Sequence, residues 1–381
     1  MSQALPLSIS GPGFGLVRNR FTWDAPIPAP LHMQPADFER ASATIRNWQG
    51  YAPTPLLSLP WAAKAAGIAQ VLYKDESPRF GLQSFKALGG AYAVGLQVDQ
   101  WRTAGKDPAT LTVCCASDGN HGRSVAWGAE RFGCKAVVYV PEVMASARRA
   151  AIEAFGAKTV TVSGYDEGLR EAARQAQTNG WIVVSDTSYP GYETIPQAVM
   201  CGYGVIAEEA VAAWGEVNSG PPTHIILQAG VGGMAAALAL RFQQLGHTPK
   251  LIIAEAEGAA CWFRSLAEGE WQAVESRGTI QAGLDCGEPS TLAWEMLEHH
   301  AVASCWVSDT RVEDTLRRLA QGNPSVAAGE SALAGLATLL ATEDRPSLRE
   351  ALALNADSRV FILGSEGPTD PDGYARVISG G

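Results

Sequence analysis

Short apolar runs alternate with segments of helical periodicity from about residue 70 to the C-terminus. Such runs, separated by amphipathic helices, are typical of strands in a mostly parallel sheet that helices cover. An α/β fold is therefore predicted. The predicted strands occupy residues 71–73, 111–116, 137–141, 159–162, 182–185, 224–228, 251–254 and 359–363.

The predicted elements divide the chain into two lobes, for which 381 residues are long enough. The strands between 111 and 185, with helices at 146–155 and 165–178, would form a small domain at 110–185. Residues 1–109 and 186–381 would form a large domain, so the chain would cross between lobes twice. The proline-rich region 11–60 is predicted to be extended, with a helix near 35–49.

One lysine is distinguished by its neighbours. Lys86 lies in the segment SFKALGG at 84–90, after a predicted turn and at the start of a helical pattern. The amides and the dipole at a helix start favour an anion, so a lysine there can hold an aldehyde next to a phosphate. This combination indicates pyridoxal 5'-phosphate carried as a Schiff base. The alternative is an ordinary solvated lysine at a helix start.

Two polar, glycine-rich turns follow predicted strands. The first is SDGNHGR at 117–123, and the second is QAGVGGM at 228–234. Open α/β sheets keep their ligand groups at such strand-to-helix turns, and glycines let backbone amides approach a phosphate closely. The second turn fits neither the G-x-G-x-x-G spacing nor a P-loop. Taken alone, it could also be a tight turn without a ligand.

Together and in this order, these segments resemble the pyridoxal-phosphate enzymes of the tryptophan synthase β-type fold, fold type II. The closer resemblance is to the diaminopropionate ammonia-lyases, and it covers roughly residues 14–376. Further matching segments are KDESPRFGL at 74–82, Asp118 before Gly-Asn-His-Gly, the run 186–192, AGL at 282–284, CGEP at 286–289, GES at 329–331 and SEGPTD at 365–370. The glycine turn, Gln83 and the segment 188–190 depart from the family pattern.

The resemblance implies a two-lobed fold, in which each lobe is a mostly parallel sheet covered by helices and the large lobe binds pyridoxal 5'-phosphate. Lys86 would hold the cofactor and act as the base at the substrate Cα. The other implied cofactor contacts are Phe85, Asn120 at the phenolic oxygen, Gly230, Val231, Gly232 and Gly233 at the phosphate, and Ser365 near the pyridine nitrogen. The implied substrate contacts are Ser117, Asp118, Gly119, His121, Asp186 and Tyr192.

Two aspartates narrow the expected substrate. A β-amine leaves poorly until it is protonated, and Asp118 or Asp186 could act as a second catalytic acid or base. Each aspartate has a plainer interpretation, because Asp118 could cap the following helix and Asp186 could belong to a turn. His121 could carry protons or be a hydrogen-bonded structural residue.

The expected reaction is the α,β-elimination of D- or L-2,3-diaminopropionate to pyruvate and ammonia by a carbon–nitrogen lyase. A dehydratase for serine, threonine or 3-hydroxyaspartate is the competing enzyme class, and a β-replacement synthase is a further one. The alternative without catalysis is an amino-acid-binding protein that retains the fold.

Charge and cysteine content restrict the partners and the location. A formal net charge of −10 argues against a nucleic-acid or anionic-membrane surface. Neither a signal peptide nor a membrane span is predicted, and the seven cysteines are expected to be reduced thiols. We find no zinc-ligand spacing in the sequence, and therefore predict no metal. The chain is expected to be cytoplasmic, and the resemblance implies a homodimer.

Overall fold

The structure is a computed structural model that describes residues 8–22, 24–117 and 119–380. Its strands are β1 (Ser8–Gly11), β2 (Phe14–Arg18), β3 (Leu56–Ser58), β4 (Gln70–Asp75), β5 (Thr112–Ala116), β6 (Lys135–Pro141), β7 (Lys158–Val162), β8 (Ile182–Val183), β9 (His224–Gln228), β10 (Lys250–Ala256), β11 (Ala301–Val307) and β12 (Arg359–Gly364).

Its helices are α1 (Pro35–Arg46), α2 (Pro60–Ala66), α3 (Lys86–Thr103), α4 (Asn120–Phe132), α5 (Ser146–Glu153), α6 (Tyr165–Asn179), α7 (Thr194–Ala213), α8 (Gly233–Gln244), α9 (Cys261–Glu268), α10 (Thr291–Leu297), α11 (Asp309–Gln321), α12 (Ala334–Leu340), α13 (Pro346–Ala351) and α14 (Pro371–Ser379). Among the described residues, no helix has the length and apolarity that crossing a membrane requires.

Two compact units divide the chain. Unit 1 comprises the described residues of Met1–Ala29, Pro53–Pro78 and Ile206–Gly381, and unit 2 comprises those of Pro30–Ala52 and Arg79–Val205. The last boundary between the two units, between Val205 and Ile206, falls inside α7.

Unit 1 contains the larger sheet, with the strand order β1-β2-β11-β10-β9-β12-β4-β3. The strands from β11 to β4 pair in parallel, as the alternation of strands and helices predicts. Both edges are antiparallel, through β1, β2 and β3. These edge strands were not predicted, because they are short and lie in or just before the proline-rich region 11–60. The parallel strand β11 was not among the predicted strands either. The core packs apolar side chains of α2, α11, α12 and α13 against the sheet.

Unit 2 contains the smaller sheet, in the order β7-β6-β5-β8, and all of its pairs are parallel. These strands match the ones predicted between 111 and 185. A fold with parallel sheets covered by helices is thus confirmed, with the larger sheet mixed at its edges.

Unit 2 is larger than the small domain predicted at 110–185, since it comprises Pro30–Ala52 and Arg79–Val205. It thus includes α3 and residues 186–205, which were predicted for the large domain. For α3, the physical reason is its close packing on α4. A Cβ at Gly90 would overlap the Ser124 hydroxyl, and one at Gly128 would lie 2.8 Å from the Ala91 Cα. The missing side chains allow the two helices to touch. That contact is not visible in the hydrophobic pattern of either helix.

Candidate active site

Lys86 is the first residue of α3, which confirms the predicted loop-to-helix junction. The turn before it has left-handed backbone at Gly81 (φ +72°) and Gln83 (φ +54°). Ser84 Oγ accepts a hydrogen bond from the Lys86 amide at 3.3 Å. The Lys86 side chain is 21% exposed. The backbone of this lysine is therefore fixed, while part of its side chain remains accessible.

The structure brings the side chains of three predicted site residues of unit 2 together. Lys86 Nζ donates a short hydrogen bond to Asp186 Oδ2 and forms an ion pair with it. The same oxygen lies 3.7 Å from His121 Nδ1. His121 Nε2 donates to the Val184 carbonyl at 2.8 Å, so Nδ1 is the nitrogen that faces the carboxylate. Lys86, Asp186 and His121 thus form a continuous polar cluster.

The charges of this cluster depend on one another. Burial opposes ionisation of Asp186, but the neighbouring His121, the charge of Lys86 and the hydrogen bond from Lys86 outweigh burial and hold the pKa of Asp186 well below its usual range. Burial lowers the pKa of His121, Lys86 lowers it further, and Asp186 opposes both. The imidazole is therefore neutral beside a charged Lys86, and it gains affinity for a proton when that charge is lost.

Tyr192 orders the segment that leads to Asp186. Its hydroxyl accepts a hydrogen bond from the Ser185 amide and donates one to the Val183 carbonyl, both at 2.9 Å. Burial raises the pKa of this phenol far above its usual range. A substrate contact was expected for Tyr192, and the structure shows a hydroxyl bonded to backbone groups on either side of Val184.

The turn before α4 is ordered by Ser117. Its buried Oγ accepts hydrogen bonds from the Gly119 amide at 3.1 Å and from the Gly122 amide at 2.9 Å. Asn120 is the first residue of α4. Asp118, which sequence analysis singled out, lies outside the described residues.

An aromatic pair adjoins Lys86. The Phe85 and Tyr203 rings are 4.8 Å apart, and Lys86 Nζ lies 5.6 Å from the Phe85 ring centre. The pKa of Tyr203 is raised, chiefly by burial, and Lys86 and Asp186 also influence it. Sequence reasoning missed Tyr203, because it lies within the largely apolar sequence of α7. No local motif marks it.

In unit 1, the glycine loop Gly230–Gly233 ends at the first residue of α8. A Cβ at Gly230 would lie 2.7 Å from Cys286 Sγ and 3.1 Å from the Gly283 carbonyl. Gly232 has φ +93°, and a Cβ there would overlap the Trp262 indole. Both positions therefore require glycine.

Such a bare backbone segment at a helix start fits a phosphate, and the Lys86 amine fits an aldehyde. Each of these two groups of residues thus fits one part of pyridoxal phosphate. Ser365, also in unit 1, directly follows β12 and is buried.

Known proteins have sequences and folds similar to those of this chain. A profile described as "Pyridoxal-phosphate dependent enzyme" matches residues 48–365. The diaminopropionate ammonia-lyase of Escherichia coli (strain K12) is 40% identical over 353 residues, which cover 86% of this chain and 88% of that protein. The chain belongs to the diaminopropionate ammonia-lyase family. The resemblance seen in the sequence is confirmed.

Two further relatives support the same assignment. Diaminopropionate ammonia-lyase of Salmonella typhimurium is 37% identical over 364 residues, which cover 87% of this chain and 89% of that protein. The solved structure of the Escherichia coli enzyme in complex with an aminoacrylate-PLP azomethine reaction intermediate has a TM-score of 0.87 and 36% identity, and covers 96% of each chain. The fold-type-II architecture expected from the sequence is thereby confirmed.

Proposed function

We propose that this chain is a pyridoxal-phosphate-dependent lyase that converts 2,3-diaminopropionate, as the D isomer, the L isomer or both, to pyruvate and ammonia. The observation that carries the proposal is the contact between Lys86 and Asp186 at the start of α3. It places a basic nitrogen next to an ionised acid, and an elimination needs both proton removal and proton delivery. The names of the family members support this substrate.

Lys86 would hold the cofactor through its aldehyde. Bound pyridoxal phosphate supplies an electron-accepting ring that makes the substrate Cα–H bond acidic. When it is not bound to the aldehyde, Lys86 Nζ would act as the base that takes the α-proton. The exposed fraction of the side chain supports this role, because an amine that exchanges partners needs room to move.

Asp186 and His121 are the residues that guide and accept protons during the elimination. Asp186 is ionised, so it holds the Lys86 ammonium and guides its proton toward the β-nitrogen, which leaves as ammonia. The Lys86 ammonium must lose a proton before its amine can react, and His121 Nδ1, 3.7 Å from the shared Asp186 oxygen, would accept that earlier proton. The remaining enamine tautomerises and hydrolyses to pyruvate, with release of the second nitrogen as ammonia.

The other predicted residues complete the proposal. Phe85 and Asn120 would contact the cofactor, the loop Gly230–Gly233 would hold its phosphate, and Ser365 would lie near its pyridine nitrogen. Ser117, Gly119 and Tyr192 shape the place where the substrate binds, Ser117 and Tyr192 through hydrogen bonds to backbone groups.

Asp118 would work on the face of Cα opposite Lys86, which would allow both isomers to react. The sequence position of this acid, directly before Gly-Asn-His-Gly, motivates the idea. Asp118→Asn is expected to lose activity toward one isomer and keep most of its activity toward the other. Unchanged activity toward both isomers would overturn the two-base idea.

A substrate profile tests the proposed function. Purified enzyme with added pyridoxal phosphate is assayed for pyruvate or the matching keto acid with D- and L-diaminopropionate, serine, threonine and 3-hydroxyaspartate. We expect the highest kcat/KM with a diaminopropionate isomer. A preference for a hydroxyamino acid would favour a dehydratase, and binding without turnover would favour a silent amino-acid-binding protein. Borohydride reduction followed by mass spectrometry should place the cofactor on Lys86.

We also propose a homodimer in the cytoplasm. The family resemblance supports the dimer, and the expected reduced thiols support the compartment. Light scattering coupled to size-exclusion chromatography should give twice the chain mass, and fractionation of cells should recover the enzyme with the cytosol.

A further inference from the structure

Trp262 contacts the glycine loop from inside unit 1. It is fully buried in the first turn of α9, and its indole Nε1 donates a hydrogen bond to the Gly230 carbonyl at 3.1 Å. Its ring occupies the space where a Cβ of Gly232 would lie. Trp262 therefore touches the loop at two places, once by a hydrogen bond and once by packing.

The hydrogen bond to Gly230 determines where the next amide points. A trans peptide is planar, so its C=O and N–H groups point in opposite directions. Since the Gly230 carbonyl faces the indole, the Val231 N–H points away from Trp262. The Val231 carbonyl accepts a hydrogen bond from the Ser290 amide at 2.9 Å, so the Gly232 N–H likewise points away from Ser290. The hydrogen bonds to the Gly230 and Val231 carbonyls thus fix two consecutive peptide planes, and with them the directions of the Val231 and Gly232 N–H groups.

Glu255 in turn fixes Trp262. Its carboxylate accepts hydrogen bonds from the Trp262 amide at 2.7 Å and the Phe263 amide at 2.6 Å, at the start of α9. The Ser304 hydroxyl donates to the same carboxylate at 2.7 Å. Trp294 packs on the indole with the ring centres 5.7 Å apart. The side chain of Trp262 is therefore held by its own backbone and by a neighbouring ring.

We propose that Trp262 is a positioning residue for the phosphate group of the cofactor, and that Glu255 holds it in place. The indole N–H aligns the Gly230–Val231 peptide so that the Val231 amide is available to a phosphate oxygen before the cofactor binds. This inference rests on the proposed function, because it takes the glycine loop as the phosphate site.

The test compares pyridoxal phosphate with pyridoxal, which lacks the phosphate. The full-length chain is freed of cofactor and titrated with each compound, as the unaltered protein, as Trp262→Phe and as Trp214→Phe. Trp262→Phe keeps the aromatic bulk and removes the N–H. Trp214 is a matched control in unit 1, since its buried Nε1 has no hydrogen-bond partner among the described residues.

For Trp262→Phe we expect the Kd of pyridoxal phosphate to rise about tenfold, the effect of one hydrogen bond, with the Kd of pyridoxal unchanged. Trp214→Phe should change neither value. The 31P resonance of the bound phosphate should shift in Trp262→Phe alone. If Trp262→Phe does not fold, Glu255→Gln is used in its place. The glutamine NH2 group cannot accept a hydrogen bond, so only one of the Trp262 and Phe263 amides keeps its acceptor. We expect the same selective weakening of pyridoxal phosphate binding.

Three results would overturn the proposal. An unchanged Kd for pyridoxal phosphate in the variant, or an equal rise for both compounds, would show that Trp262 does not act through the phosphate. In either case the unaltered enzyme would still prefer pyridoxal phosphate, and the proposed function would stand. If the unaltered enzyme bound both compounds equally, the phosphate site itself would be wrong, and this inference with it.

Discussion

Lys74 and Lys86 lie close together in the sequence, and both contact carboxylates, yet their surroundings differ. Lys74, in β4, is 1% exposed, and Lys86, at the start of α3, is 21% exposed. Lys74 Nζ donates to the Thr54 carbonyl and to Glu209 Oε2, both at 2.6 Å, and lies 3.7 Å from Glu76 Oε1. Lys86 Nζ pairs with Asp186, at an accessible helix start.

The comparison shows why Lys74 is suited to a structural role and Lys86 to the proposed reactive one. A fully buried ammonium loses its hydration, and the fixed acceptors around Lys74 offset that loss only while the charge persists. The buried Lys74 amine is thus held by its partners and has no solvent-filled space in which to exchange them. The side chain of Lys86 is partly solvated, so its amine can exchange a carboxylate for a carbonyl carbon. Exposure and exchangeable partners, rather than contact with an acid, therefore favour Lys86 over Lys74 as the proposed reactive lysine.

The largest expected effect is a loss of catalytic activity without a loss of stability. Lys86→Ala should lower kcat/KM roughly 10⁴-fold or more, because it removes both the cofactor attachment and the base. Its Tm without cofactor should stay within about 2 °C of the unaltered protein. Steady-state kinetics and thermal denaturation measure the two quantities, with Lys135→Ala, an exposed lysine of unit 2, as the control. Residual activity near that of the control would remove Lys86 from the mechanism.

Lys74→Met should do the reverse. It leaves Glu209 and Glu76 buried without their cation, which is expected to cost roughly 3–5 kcal/mol of unfolding free energy. The folded fraction should keep its kcat with diaminopropionate. Urea denaturation gives the stability, and Lys64→Met, at an exposed position of α2, is the control with the same chemical change. A stability equal to that control would mean that the buried cluster is not needed for folding.

Asp186→Asn removes the carboxylate that pairs with Lys86, and should affect both the activity and the pH dependence of stability. Loss of the carboxylate is expected to lower kcat about 10²-fold. The depressed pKa of Asp186 stabilises the folded state above the ordinary aspartate value of 3.8, and this contribution is lost as the pH falls through the lower folded-state value.

The stability gap between the cofactor-free protein and Asp186→Asn should therefore be roughly 1–3 kcal/mol at pH 6 and shrink below pH 4. Urea denaturation across this pH range measures it. Asp99→Asn, at an exposed position of α3, should show no such trend. A gap that stays constant with pH would contradict the low pKa.

The smallest expected effect concerns the support of Asp186. Tyr192→Phe removes the hydroxyl that bonds Ser185 and Val183, and should lower kcat about tenfold with little change in KM. Tyr189→Phe is the matched control, because its ring stacks on Tyr192 and is half exposed. A change in KM alone would instead indicate direct contact of Tyr192 with the substrate.

Much of the fold was predictable, because buried parallel strands and the helices between them produce apolar runs of regular length in the sequence. The smaller sheet and the strands β4, β9, β10 and β12 of the larger one follow from that pattern, whereas the parallel strand β11 was not predicted. The strands β1, β2 and β3 do not, since an edge strand needs few apolar residues and takes its register from a neighbour. The extent of unit 2 also escaped prediction, because it depends on the glycine-mediated contact between α3 and α4.

The candidate site was predictable where local chemistry is unusual. Lys86 was identified by its hydroxyl, aromatic and glycine neighbours, and the glycine loop by its position after a strand. Tyr203, Trp262 and Glu255 were missed, because each lies in a sequence that is ordinary for a helix or a buried strand. Their roles arise from contacts with loops distant in the chain, such as the bond from Trp262 to Gly230.

The sequence by itself determined the fold class and the family, and predicted Lys86 as the reactive lysine, because backbone preferences and motif spacing are properties of neighbouring residues. Only the tertiary structure decided that Lys74 is locked by Glu209 and that Lys86 meets Asp186. Those acids lie 135 and 100 residues away along the chain. Burial and pairing depend on which distant groups share a space, and that is settled only when the chain is packed.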